Sequence, residues 1–274
     1  MNALGLVGCG LLGSSFALAA RRFGCFDVVL GYDSSREVNL HAMELGVIDG
    51  IWNRKIRVDA VCIAVPTQAI GAVLREMLDI VQDDVPIFDV GSVKASITVN
   101  GESPPSNFIP CHPIAGSHLS GPEAAREDLF KGNVCVVTPT HTSNPTMVDA
   151  VVGWWEKVGA QVVQMSAEAH DKSVALTSHL PHLLSYAIVD MLRNACDDTK
   201  TLVGSGFLDF SRLAGGDATM WRSIFVDNQD NLRIGFRELA ECLTLMLNDA
   251  EQNPDDLERK LRDIAVIRGT LDDK

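Results

Sequence analysis

Through the first 165 residues, short apolar runs alternate with stretches whose apolar positions recur at helical spacing. The runs at 3–7, 28–33, 60–66, 86–90, 108–111, 134–138 and 161–165 have the length of buried strands. Residues 14–22, 70–81 and 147–158 read as helices between them. This alternation predicts an α/β domain on a doubly wound sheet. Beyond about residue 166 the strand pattern stops. Residues 169–194 carry Val174, Leu180, Leu184, Ile188 and Met191 at helical intervals, and 230–247 repeat the pattern with Leu232, Phe236, Leu239 and Leu243. Asn253 reads as the cap of a last helix, with Pro254 at its first position. Two domains are expected: a dinucleotide-binding type of α/β domain over 1–165 and an all-α domain over 166–274, whose apolar faces suit dimerisation.

The dinucleotide expectation comes from one turn. Gly8-Cys9-Gly10-Leu11-Leu12-Gly13 follows the first strand at once and opens a helix, and Asp33 ends the second strand 20 residues beyond Gly13. This is the Rossmann-type arrangement: Gly8 permits the tight turn, Gly10 lets a pyrophosphate approach, and Gly13 lets helix and strand pack closely. The helix start at Leu11 and Leu12 offers N–H groups and partial positive charge to phosphates. Asp33 can accept hydrogen bonds from ribose hydroxyls and would repel a 2′-phosphate, so NAD is expected. Ser34-Ser35-Arg36 keeps NADP as the alternative.

A second motif, Cys111-His112-Pro113-Ile114-Ala115-Gly116-Ser117, places a titratable group where a strand is expected to end. Ligands of such sheets bind at strand ends, and that crevice would collect Gly10, Pro66, Ser92 and His112. Histidine is easily poised for proton transfer near neutral pH. Ser92 reads either as a site hydroxyl or as the N-cap of a helix starting at Val93, with Lys94 a solvated first-turn lysine. In the helical half, Thr177-Ser178-His179-Leu180-Pro181-His182 sets two histidines on one face beside a proline that should kink the helix. No nearby cysteine or carboxylate completes a ligand set, so no metal is expected. One histidine should face a pocket while the other packs or bonds backbone. Arg212, between apolar neighbours, reads as a surface salt-bridge residue or as a guanidinium fork for a carboxylate, with Trp221 walling a pocket nearby.

Composition narrows the field. With 46% hydrophobic and 22% charged residues the chain is ordinary globular material, and no apolar run reaches the roughly 18–20 residues of a membrane span. The first run reads as a strand rather than a signal peptide. Seven cysteines, odd in number and without a C-x-x-C spacing, are expected to be free thiols in a reducing cytoplasm. A net charge of −13 without a basic stripe argues against nucleic acid or an anionic membrane as partner.

Taken together, the Gly8–Gly13 fingerprint, Asp89-Val90-Gly91-Ser92-Val93-Lys94, His112 to Ser117, Ser178-His179-Leu180-Pro181-His182, and Gly206 to Asp217 with Met220-Trp221 resemble the prephenate/arogenate dehydrogenase family of tyrosine biosynthesis. The resemblance runs through nearly the whole chain. It implies a nucleotide-binding domain followed by a helical dimerisation domain, and a homodimer. It also implies oxidative decarboxylation of a cyclohexadienyl substrate. By the resemblance, His112 accepts the ring 4-hydroxyl proton as hydride leaves the same carbon for nicotinamide. Ser92 orients His112 and the hydroxyl, Arg212 holds a carboxylate, and His182, Ser117 and Trp221 line the pocket. Many relatives carry an acid where this chain has His118, so prephenate and arogenate both stay open as substrates. Tyrosine would inhibit by occupying the active site. Neither a chorismate-mutase segment ahead of the fingerprint nor a regulatory domain behind the last helix is expected. Two other readings remain: a β-hydroxyacid dehydrogenase using Lys172 as base, and a dinucleotide-binding sensor without turnover.

Overall fold

The computed structural model describes residues 2–98, 101, 104–116 and 119–271. It divides into two compact units, 1–228 and 229–274. The first unit opens on a parallel sheet of β1 (Ala3–Val7), β2 (Val28–Tyr32), β3 (Gly50–Ile51), β4 (Ala60–Ile63), β5 (Ile87–Asp89) and β6 (Phe108–Ile109), in the order β3-β2-β1-β4-β5-β6. Helices α1 (Leu11–Arg22), α2 (Arg36–Glu44) and α3 (Thr67–Leu78) follow β1, β2 and β4.

The strands are apolar on both faces because both are covered. Leu4 and Leu6 of β1, Cys62 of β4 and Phe88 of β5 point into one core, with Phe16, Phe130 and Trp155. Val7, Val61, Ile63 and Ile87 point into the other, with Trp52, Ile70, Leu74 and Met77. The period-two alternation of a strand thus assigns neighbouring residues to opposite cores.

The expected single run at 108–111 is two strands. Pro110 lacks an N–H, so the ladder cannot continue through it. Its carbonyl instead accepts the Thr138 N–H at 2.9 Å. Beyond it β7 (Cys111–Pro113) pairs antiparallel with β8 (Val134–Val137), and β8 pairs parallel with β9 (Gln161–Gln164). These strands form a second, three-stranded sheet rather than an extension of the first. His112 therefore lies within β7, not on a turn beyond a strand end. Helix α4 (Pro145–Lys157), capped by Asn144, connects β8 to β9.

The helix expected over 169–194 is interrupted. Helix α5 (Ala167–Val174) passes through a π turn, Ala175–His179, into α6 (Leu180–Met191). The Ser173 and Thr177 hydroxyls bond the carbonyls of Ala169 and Ser173 at 2.8 and 3.0 Å, and Pro181 withholds an N–H. Both effects loosen the ladder just where the wider turn sits. Helices α7 (Asp197–Thr201), α8 (Ser205–Ser211) and α9 (Ala218–Asp227) complete this unit.

The second unit is a pair of helices, α10 (Gln229–Gln252) and α11 (Pro254–Gly269), tied by Lys260 and Asp249 at 3.6 Å. Asn253 stands at the N-cap position of α11, but its side chain makes no cap bond. Its backbone carbonyl takes the N–H groups of Asp256 and Leu257 instead. Among the described residues no helix is long and apolar enough to cross a membrane.

Candidate active site

The parallel strands end on one edge of the six-stranded sheet, and the glycine turn forms there. Gly8 has φ +95°, and a Cβ on it would lie 2.3 Å from the Ala64 carbonyl oxygen. A Cβ on Gly13 would meet the Gly8 carbonyl oxygen at 2.3 Å. Any larger residue at either position would push α1 off the sheet. Gly10 faces open space, stands at the N-cap of α1 without a side-chain cap, and no acid follows in the first turn. The backbone donors of Leu11 and Leu12 are thus oriented for an external anion, and the cradle fits a dinucleotide pyrophosphate.

Asp33 is locked in place. Its carboxylate accepts the N–H of Cys9 at 3.0 Å and of Ser35 at 2.9 Å. Asn39 clamps the same corner, accepting the Asp33 N–H and donating to the carbonyls of Asp33 and Ser35. Pro66 is exposed at the N-cap of α3, where β4 leaves the sheet.

Next to this edge lies a buried polar cluster. Lys94 is 3% exposed and Asp89 fully buried. Lys94 Nζ pairs with the Asp89 carboxylate and donates to the Cys111 carbonyl at 2.7 Å. The other Asp89 oxygen accepts the Cys111 N–H at 3.0 Å. This pair joins the exit of β5 to β7. The expected helix after Ser92 does not form, so Ser92 is no helix cap and Lys94 no solvated first-turn residue.

On β7, His112 Nδ1 lies 2.8 Å from His170 Nε2, and His170 Nδ1 lies 2.7 Å from Asp171 Oδ1. Asp171 also accepts the N–H groups of Lys94 and Ala95 at 2.9 and 2.8 Å. Asn228 Nδ2 donates to the Asp171 carbonyl at 2.8 Å and to His179 Nδ1 at 3.0 Å. Burial, then His170, Lys94 and His179, hold His112 well below the ordinary histidine value. Burial likewise pulls His179 down to about 4, against the opposing pull of Asp171. Both rings are therefore neutral at physiological pH.

The π turn and α6 add a wall. His182 donates from Nδ1 to the Ser178 carbonyl at 2.9 Å and stacks on Trp221, centroids 3.6 Å apart. Trp221 also packs with Val93 and Ile224. The residue after Ser92 thereby touches the helical wall. His179 is the packed histidine and His182 the half-buried one. Arg212 is exposed at the end of α8 and forms no ion pair among the described residues. Its charge adds to the burial that lowers His182.

Of the residues singled out in the sequence, the structure brings together Gly8, Gly10, Leu11, Leu12, Gly13 and Asp33 at the sheet edge, and His182 with Trp221. His112 joins the edge through Lys94. The orienting bond expected from Ser92 to His112 is made by His170 instead. Ser117 and His118 lie outside the described residues. Lys172 is exposed on α5. Among the described residues no cluster of histidine, cysteine or acidic groups could hold a metal. His170 and Asp171 were missed. Their signal is a His-Asp pair one turn before the apolar Val174 and Ala175, which puts both on the buried stripe.

A nucleotide cradle beside a buried, hydrogen-bonded histidine is the arrangement of a dinucleotide-binding enzyme. Residues 16–164 match the family model described as prephenate dehydrogenase, nucleotide-binding domain, and 166–263 match prephenate dehydrogenase, dimerization domain. The chain belongs to the prephenate dehydrogenase family and is an oxidoreductase. A cyclohexadienyl dehydrogenase of Zymomonas mobilis is 34% identical over 236 residues, covering 82% of this chain and 80% of that protein. Prephenate dehydrogenase from A. aeolicus, solved in complex with hydroxyphenyl propionate and NAD+, is similar with a TM-score of 0.92 at 30% identity, over 99% of this chain and 98% of that one. Arogenate dehydrogenase from Synechocystis is similar with a TM-score of 0.86 at 26% identity, over 98% of this chain and 99% of that one.

Proposed function

We propose that this enzyme oxidatively decarboxylates prephenate, arogenate or both, with NAD as its cofactor. The observation that carries the reading is His112, a neutral imidazole with Nδ1 engaged and Nε2 left for a substrate hydroxyl, on the strand tied to the cofactor edge. When bound, the dinucleotide supplies the hydride acceptor. His112 accepts the proton of the ring 4-hydroxyl, which lets that carbon become a carbonyl-like centre as carbon dioxide departs and the ring aromatises. Ser92 donates to or accepts from the same hydroxyl. Arg212, free of a carboxylate partner among the described residues, holds a substrate carboxylate, and His182 on Trp221 lines the pocket. Mixing the protein with NAD and prephenate or arogenate should raise absorbance of the reduced cofactor. No turnover with either compound would end the proposal.

Arg212→Ala is expected to raise the KM for prephenate by the equivalent of about 1.5–3 kcal/mol, the worth of a charged hydrogen bond, with little change in the KM for NAD. An unchanged prephenate KM removes Arg212 from the pocket.

Cofactor choice follows from Asp33. To admit a 2′-phosphate its carboxylate would have to turn away and abandon the N–H groups of Cys9 and Ser35. NAD should therefore be favoured over NADP in kcat/KM by tenfold or more, on the order of 1.4 kcal/mol. Asp33→Ser should narrow that ratio, and equal use of the two cofactors by the unaltered enzyme would refute the assignment.

Two further features complete the reading. Leu176, Met191 and Leu202 are 63%, 77% and 83% exposed on the helical region, apolar surface that suits a partner. A second copy of the chain covers it, forming a homodimer; light scattering should return twice the mass of the chain. Free thiols at all seven cysteines suit a reducing cytoplasm. Tyrosine, sharing the phenol ring of the product, competes for the same pocket.

A further inference from the structure

The reading of His112 as the base requires a lone pair, not a proton, at Nε2. The inference below rests on that reading and explains how the requirement is met. The Asp171 carboxylate accepts the Lys94 and Ala95 N–H groups, and its Oδ1 lies 2.7 Å from His170 Nδ1. A carboxylate whose two oxygens already take N–H donors presents an acceptor to the ring beside it. His170 Nδ1 therefore carries a proton. In the resting arrangement proposed here His170 holds that single proton, so its Nε2 is bare and accepts. Its partner at 2.8 Å, His112 Nδ1, must be the donor. His112 Nε2 is left bare.

We propose that His170 and Asp171 are positioning residues that fix His112 in this tautomer and take over the charge when it works. The substrate O–H bond breaks as the Nε2–H bond of His112 forms. The Nδ1–H bond of His112 breaks as the Nε2–H bond of His170 forms. No electrons change owner, and the positive charge ends on His170, against the Asp171 carboxylate.

Placement of the surrounding charges favours this second shift. Lys94 from the loop after β5 and His179 from the π turn both disfavour a cation on His112, as does burial. Asp89 is occupied by Lys94. Asp171, the carboxylate next in line, lies one ring further on, 2.7 Å from His170. Asn228 and the two backbone donors hold that carboxylate still.

The test reads tautomers and rates together. Long-range proton–nitrogen NMR of the imidazoles at neutral pH should show both His112 and His170 protonated at Nδ1. Asp171→Asn should convert His112 to the Nε2–H form and lower kcat with prephenate by about 10²–10⁴-fold, while its KM values move little. Because Asp171 also anchors backbone, His170→Gln is the second variant; it leaves the bonds from Lys94 and Ala95 in place and should lower kcat by a comparable factor. An Nε2–H tautomer of His112 in the unaltered enzyme, or a His170→Gln kcat within threefold of it, overturns the relay. Either outcome with an inactive His112→Asn protein spares the base assignment; full activity of His112→Asn defeats the base assignment itself.

Discussion

His112→Asn is expected to lower kcat by about 10²–10⁴-fold, the usual worth of a positioned general base. Asparagine can reach His170 and keep the strand in place, yet it has no atom that takes a proton near neutrality. The KM for NAD should hold, because the cradle at Gly8 to Gly13 does not involve His112. The pH profile separates this loss from a folding defect. His112 is held well below 6.5 by burial and by His170, Lys94 and His179. Protonation removes the base, so kcat/KM of the unaltered enzyme should be level above pH 6.5 and fall only in more acidic solution. In His112→Asn that acid limb should vanish along with the rate. A variant retaining the wild-type rate, or the same acid limb, would take His112 out of the chemistry.

The second large effect is on stability. Asp89→Ala would leave the Lys94 ammonium buried with the Cys111 carbonyl as its remaining partner. Removing one member of a buried ion pair costs about 3–5 kcal/mol, because the other charge stays out of water. The variant also loses the acceptor for the Cys111 and Gly91 N–H groups. Its urea midpoint should fall accordingly. The double variant Asp89→Leu/Lys94→Met should recover most of that loss, since a well-packed apolar pair replaces a desolvated ionic one. A single-variant loss below about 1 kcal/mol would mean that water reaches Lys94.

What could be read in the sequence was what the chain decides locally. The glycine turn, α1 and Asp33 lie within 26 residues, and each has its own steric or electrostatic reason. Strand periodicity gave five of the six strands of the larger sheet and missed β3, whose two residues are too few for an apolar run; it says nothing about partners, so β7, β8 and β9 were read as an extension of that sheet. Pro110 was the visible cue to the break. Lys94 was misread because its surroundings were inferred from a helix that does not form. Its real environment is set by Asp89 five residues back and Cys111 seventeen ahead. His170 sits 58 residues from His112, and only the packing of α5 against β7 makes them neighbours.

The π turn at Ala175–His179 has a consequence for chain length. A wider turn inserts roughly one residue into the helical ladder, and each residue advances a helix by about 100°. It thus sets the rotational phase between α5, which carries His170 and Asp171, and α6, which carries His182. Point substitutions that keep the residue count between 175 and 178 preserve that phase. Deleting one residue there would let a regular helix run straight through and turn His182 off the face it shares with Trp221. This segment should therefore drift in composition far more freely than in length.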